Sequence, residues 1–229
     1  MIKVLIDPGH GGGDPGAYLG NRREKDDVLT FSRLLQAEIN KYQGVEAYLT
    51  RSKDVSTSLE DRASMQRFGK YDYFISIHRN ANAGTPGTGV ETFVWLNPIR
   101  VEQQIAACLQ DACVSCGFVD RGVKRADFYV LRETNCSAFL CELGFINNSR
   151  DNSLFDVQKA KMAERMAAGF CGYLGLKKPS ATMVFHTVVR GDTLYSLSKR
   201  YGTSVNAIVD LNRLADRNKI IIGQKLRIK

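Results

Sequence analysis

The sequence predicts an α/β layer fold with a largely parallel sheet and helices on both faces, followed by a small basic strand-helix-helix-strand module. Three observations predict it. Short apolar runs rich in β-branched and aromatic residues alternate with amphipathic stretches at helical spacing over the first 175 residues. Three of those runs, KVLIDPGH, DYFISIH and AFLCE, end in His10, His78 and Glu142. The charge is divided: residues 177–229 hold eleven Lys and Arg against three Asp, a net of +8, whereas residues 1–176 are balanced.

Residues 2–7 read as the first strand and lead through a Gly-rich loop to a helix at about 25–42, where Val28, Phe31, Leu35, Ile39 and Tyr42 share a face. Glu46–Leu49 is the second strand. A helix follows near Leu59–Phe68, with Ser58 and Asp61 spaced as a capping box. Strands at 72–78 and 89–95, a helix at 98–116, strands near 128–131 and 138–141 and a helix from about 157 to 174 complete the unit. Gly175 and the polar stretch LKKPSAT, with Pro179, mark a linker at 176–182. The chain therefore divides into 1–175, the linker and 183–229. The tail from His186 onward reads strand, helix, helix, strand, with Gly202 in the turn between its helices.

In an open α/β sheet, ligands bind beyond the carboxyl ends of the strands, so strands ending in His10, His78 and Glu142 aim two imidazoles and a carboxylate at one place. Imidazole with carboxylate suits zinc, and a catalytic zinc keeps three protein ligands and one open position. The glycines of DPGHGGGDPG leave main chain free to approach a ligand. A phosphate cradle is disfavoured, because the loop lacks the Lys-Ser/Thr of a P-loop and no G-x-G-x-x-G opens a helix. Glu24 lies in the charged run RREKDD at a helix start, where the macrodipole favours acidic residues; on that ground alone it reads as a solvated first-turn carboxylate.

Six cysteines in a chain of this length do not form a disulfide framework, and synthesis in a reducing compartment is expected. Cys113 and Cys116 read as buried helix positions. Cys141 alternates away from Glu142, which argues against a cysteine hydrolase. No apolar run approaches the roughly 18 residues that span a bilayer, and no basic segment followed by a long apolar stretch opens the chain.

The stretches DPGHGG (7–12), NRREKD with Glu24, SIHRNA (76–81), GVETF (89–93), RGVKRADFYVL (121–131) and CELGFINN (141–148) occur in an order that resembles the zinc-dependent N-acetylmuramoyl-L-alanine amidases of bacterial and phage cell-wall type. The resemblance covers residues 1 to about 175. It implies a Zn2+ ion held by His10, Glu24 and His78, Glu142 as the catalytic carboxylate, and cleavage of the amide between N-acetylmuramic acid and the first alanine of the peptidoglycan stem. Arg79 and Asn80, beside His78, are candidates to line the substrate site. A different zinc peptidoglycan hydrolase, a peptidase or deacetylase, and a non-catalytic wall-binding protein are the competing readings.

The tail segment VVRGDTLYSLSKRYGTS, with LNRL and IIIGQKLRI after it, resembles the LysM module. That resemblance implies binding of N-acetylglucosamine-containing glycan through Gly191, Asp192, Thr193 and Leu194 and a second loop at about 218–223. His186, which opens the module, is expected to be structural. A helix-turn-helix over 197–211 competes, but leaves GDTL and IIGQ unexplained, so no nucleic-acid partner is expected. The surplus charge suits anionic wall polymers. Synthesis in the cytoplasm without a signal peptide and action on the wall after release, as for an endolysin or a lysis-released autolysin, is the expected location.

Overall fold

A computed structural model of the protein describes residues 1–179 and 183–229. Part of the expected linker, 180–182, lies outside the described residues. Two compact units are present, Met1–Lys178 and Pro179–Lys229.

The first unit contains β1 (Ile2–Pro8), β2 (Tyr18–Leu19), β3 (Arg22–Arg23), α1 (Glu24–Ile39), β4 (Val45–Leu49), α2 (Leu59–Gly69), β5 (Tyr73–Asn80), β6 (Val90–Val94), α3 (Arg100–Val114), β7 (Asp120–Arg125), α4 (Tyr129–Arg132), β8 (Ser137–Phe145) and α5 (Ser149–Tyr173). Six strands form one sheet in the order β4-β1-β5-β8-β6-β7. Four of its five pairings are parallel, and β6 runs antiparallel to β8.

Strand β1 sits inside the sheet, and its Val4, Leu5 and Ile6 are buried on both faces, as a parallel strand covered on each side requires. On one face the predicted stripe of α1, Val28, Phe31, Leu35 and Ile39, packs with Ile105 and Leu109 of α3 and with Phe155, Met166 and Phe170 of α5 to form the main core. The other face carries a smaller cluster of Leu5, Phe74, Leu140, Val130 and Leu131; α4 supplies the last two and packs in turn against α2. Ser58 and Asp61 form the expected capping box of α2.

Three local expectations are corrected. The apolar run at 128–131 is not a strand: from Tyr129 it forms the single turn α4, which buries Val130 and Leu131, and a run of four apolar residues cannot distinguish the two by periodicity. Strand β7 was not expected, because DRGVKR is a polar edge strand of alternating exposure. Helix α5 starts at Ser149 rather than 157, because the Asn148 side chain accepts the backbone N–H groups of Arg150 and Asp151 as an N-cap. All six cysteines are free, with Cys113, Cys116 and Cys141 buried.

The second unit contains β9 (Phe185–Thr187), α6 (Leu194–Tyr201), α7 (Val205–Asn212) and β10 (Lys225–Arg227), with β9 and β10 antiparallel. Val188, Leu194, Leu197, Ile208, Leu226 and Ile228 form its core. Thr193 caps α6, Gly202 ends it with a left-handed φ of 59°, and Ser204 caps α7.

Candidate metal centre

His10 follows β1 with a φ of 58°, a left-handed conformation uncommon for a residue other than glycine. Two buried arginines hold it there. Arg51 donates to the carbonyls of Pro8 (3.0 Å) and Gly9 (2.7 Å), and Arg62 donates to those of Pro8 and His10, both at 2.7 Å. Arg62 also pairs with Asp7, a carboxylate that is 1% exposed and further accepts the hydroxyls of Thr50 and Ser76. Three consecutive carbonyls are thereby fixed by side chains from β4's end and from α2.

Glu24 is the first residue of α1, delivered by the β2–β3 hairpin, and it is 3% exposed. The solvated reading of this carboxylate is therefore wrong. Its Oε1 accepts the backbone N–H of Arg79 at 2.9 Å and lies 3.0 Å from His78 Nδ1; its Oε2 accepts the N–H of Ala17 at 2.9 Å and lies 3.2 Å from His10 Nε2. The other ring nitrogen of His10 donates to Asp14 Oδ2 at 2.8 Å, which leaves Nε2 as the nitrogen aimed inward. Side chains cannot be added around this group: a Cβ on Gly9 would lie 2.3 Å from the His78 ring, and one on Gly16 would lie 2.6 Å from Glu24 Oε2.

His10, Glu24 and His78 each offer one ligand atom, and these atoms lie within 4.8 Å of one another. Two imidazoles with one carboxylate are a donor set for zinc, so these residues fit the ion that the sequence led us to expect. Burial works against a charge on His10, but Glu24 and Asp14 outweigh it and push its pKa up to about 9. Burial likewise disfavours the Glu24 carboxylate, yet the two imidazoles hold it well below the usual carboxylate range.

Glu142 lies opposite His78 in the β5–β8 register and opposite Glu91 in the β6–β8 register. Its Oε2 is buried without a hydrogen-bond partner. Burial pushes its pKa up to about 7, with the charges of Glu24 and Glu91 adding to the rise and His78 opposing it. A cleft of about 620 Å³ opens on His10, His78 and Glu142, with Leu59, Phe128, Val130 and Leu140 as its apolar wall.

Arg79 is not a wall of that cleft. It is 2% exposed, and its guanidinium is committed to Asp27 at 2.6 Å and Asn152 at 2.7 Å, which overturns the expectation that it lines the substrate site. Asn80 turns its amide to Glu91 at 2.5 Å. Asp14, Arg51, Arg62 and Glu91 escaped sequence reasoning. Asp14, four residues after His10, could have been found; the two arginines become neighbours of the loop only through the fold.

In the second unit, a hollow of about 330 Å³ is lined by Asp192, Thr193 and Leu194 together with Tyr195, Asn218 and Ile220, and Gly191 makes the turn before it with a φ of 93°. His186 is structural: its Nε2 and Nδ1 lie 2.6 Å from Asp192 Oδ2 and 3.0 Å from the Tyr201 hydroxyl.

A mostly parallel sheet whose carboxyl ends gather two imidazoles, a shared carboxylate and a second, unpartnered carboxylate defines a hydrolase of the α/β layer class with a place for a metal ion. Comparison with known proteins narrows this. The N-acetylmuramoyl-L-alanine amidase family model matches residues 4–171 and the LysM domain model matches residues 186–229. The chain belongs to the N-acetylmuramoyl-L-alanine amidase family and carries a LysM domain after it. It is 33% identical over 218 residues to the N-acetylmuramoyl-L-alanine amidase CwlM of Bacillus licheniformis, covering 88% of this chain and 83% of the relative. It is 37% identical over 185 residues to an endolysin of Bacillus phage SPP1, covering 77% of this chain and 68% of the relative. The crystal structure of an N-acetylmuramoyl-L-alanine amidase from Clostridium difficile 630 superposes with a TM-score of 0.73 at 33% identity, over 76% of this chain and 97% of that one.

Proposed function

We propose that this protein hydrolyses the amide between N-acetylmuramic acid and L-alanine in peptidoglycan, using one zinc ion held by His10, Glu24 and His78, with Glu142 as the catalytic carboxylate. The single observation that carries this reading is the convergence of those three side chains beside the buried, unpartnered Oε2 of Glu142. When bound, zinc supplies Lewis acidity toward the amide oxygen and acidity to water. Glu142 takes the proton from the attacking water and returns it to the departing amine. Burial raises this carboxyl above the ordinary range, and a group that must accept and then give a proton works best near the ambient pH. Asp14 keeps the His10 ring in one orientation, and Arg51 and Arg62 keep its backbone in place. Leu59, Phe128 and Leu140 give the cleft an apolar wall beside the reacting amide.

In this reading residues 1–175 are the catalytic domain, 176–182 the linker and 183–229 the wall anchor. Gly191, Asp192, Thr193 and Leu194 supply one side of the glycan groove, and the +8 tail adds attraction to anionic wall polymers. Tethering raises the effective substrate concentration for the catalytic half. Among the described residues no helix is long and apolar enough to cross a membrane. The role we assign is that of an endolysin made in the cytoplasm and acting on the wall after release, a role that the likeness to the phage endolysin supports.

End-group analysis of digested peptidoglycan tests this. A new N-terminal alanine without a new reducing sugar, abolished by a zinc chelator and restored by zinc, is the expected result. A new amine on any other residue, or a deacetylated sugar, overturns it.

A further inference from the structure

One charged cluster near the cleft has no part in the chemistry above. Because β6 runs against β8, its first residues lie at the sheet end where β5 and β8 finish, and Glu91 stands across from Glu142. Glu91 is 5% exposed. Its Oε1 accepts the Asn80 amide at 2.5 Å, and its Oε2 accepts Arg121 Nε at 2.9 Å together with Lys124 Nζ. Burial disfavours its charge, but the two cations outweigh that and lower its pKa, so Glu91 is an anchor and not a proton carrier.

Two cations on one carboxylate leave a surplus positive charge. Neutralising Glu91 requires only one of them. Arg121 is held in a particular way: Nε on Glu91, the guanidinium carbon 5.0 Å from the Phe145 ring centroid, and a side chain 36% exposed. Among the described residues its two terminal nitrogens have no protein acceptor. Lys124 is 40% exposed beside it, with its ammonium 6.0 Å from the Phe93 ring. A guanidinium fixed at Nε and stacked on a ring presents a planar fork whose order is already established before binding, and that fork matches a carboxylate.

We propose that Arg121, backed by Lys124, binds a free carboxylate on the peptide half of the substrate, one or two residues beyond the cleaved amide. Placement follows from strand spacing. Glu91 is one strand from Glu142, about 5 Å, and an extended peptide rises roughly 3.4 Å per residue, so a head group over Glu91 meets the residue that follows the first alanine. The apolar cleft receives the scissile amide, and the cationic fork holds the peptide by its charge. This inference rests on the amidase reading and adds a determinant of which stem peptides are accepted.

The test uses the full-length zinc-loaded protein and two synthetic substrates, N-acetylmuramoyl-L-alanyl-D-glutamate with both carboxyls free and its diamide. The free acid should be cleaved with a kcat/KM about tenfold higher, carried mainly by KM, and the advantage should shrink as salt is added. Arg121→Gln and Lys124→Gln should each bring the ratio toward one, and Arg121→Lys should keep part of it. Equal kcat/KM for the two substrates overturns the carboxylate site, and so does a ratio that survives both Gln variants. The comparison in the unsubstituted protein needs no variant to fold. Absence of alanine release from either substrate overturns the amidase reading and this inference with it, whereas release without discrimination overturns the inference alone.

Discussion

Replacing Arg62 with Met removes the guanidinium that joins Asp7 to the backbone carrying His10. The Asp7 carboxylate is 1% exposed and pairs with Arg62 at 2.5 Å, so the variant strands a buried charge whose remaining partners are two hydroxyls. Breaking a buried pair by removing one partner costs about 3–5 kcal/mol. The same change leaves the carbonyl of His10 without its Arg62 donor and that of Pro8 with Arg51 alone. A domain of 150–250 residues shifts by about 2–4 °C per kcal/mol, so a fall in Tm of roughly 10 °C is expected. Denaturant unfolding of R62M, D7N and the double variant D7N/R62M, each metal-free, provides the assay. The double variant should recover part of the loss, because it removes the stranded charge, and the cycle should show a coupling above about 1 kcal/mol. Metal content should fall in R62M, since the left-handed backbone at His10 loses a constraint. Loss of less than about 1 kcal/mol with unchanged metal content would refute the claim that this pair holds the His10 loop.

Glu142→Gln should abolish turnover, with kcat down by at least about 10³, while metal analysis shows zinc retained; near-normal activity would remove Glu142 from the reaction. The pKa of His10 is raised in the metal-free protein, so its stabilising contribution is fully present below about 6.5 and is lost as pH rises toward about 9. Denaturant midpoints recorded in chelator should fall across that window, while zinc affinity rises over it because metal and proton compete for the same nitrogen. Deleting residues 177–229 should slow lysis of intact walls, most strongly at low salt, and leave cleavage of a soluble muramyl peptide in place; unchanged lysis at every salt concentration would remove targeting as the tail's role.

The sheet was legible in the sequence wherever burial imposed a period. Val4 to Ile6, Phe74 to Ile77 apart from Ser76, and Phe139 to Cys141 are apolar because both faces of each strand are covered, and the α1 stripe is apolar every third or fourth residue because one side meets the sheet. Strand β7 was not legible, since an edge strand bearing Arg121 and Lys124 carries no apolar run. The strand-end rule brought His10, His78 and Glu142 to one end, but Glu24 required the family resemblance: its carboxylate is buried by a hairpin and by two imidazoles distant in sequence. The assignment of Arg79 to the substrate wall failed for a related reason. Adjacent strand residues face opposite sides of a sheet, so a neighbour of His78 points away from the cleft and finds Asp27 instead.

The reversed direction of β6 separates the rim of this enzyme from its floor. Residues 81–89, which join β5 to β6, are fastened to the start of α5, where Asn148 donates to the Gly87 carbonyl and Asp151 accepts from Thr88 and Gly89, while β6 itself is locked to β8 through Glu91, Thr92 and Phe93. A change in the length of that connection would be absorbed beside α5, and the β6–β8 register that sets Glu91 opposite Glu142 would hold. Loop length at that end of the sheet can therefore vary without disturbing the strand register beneath it.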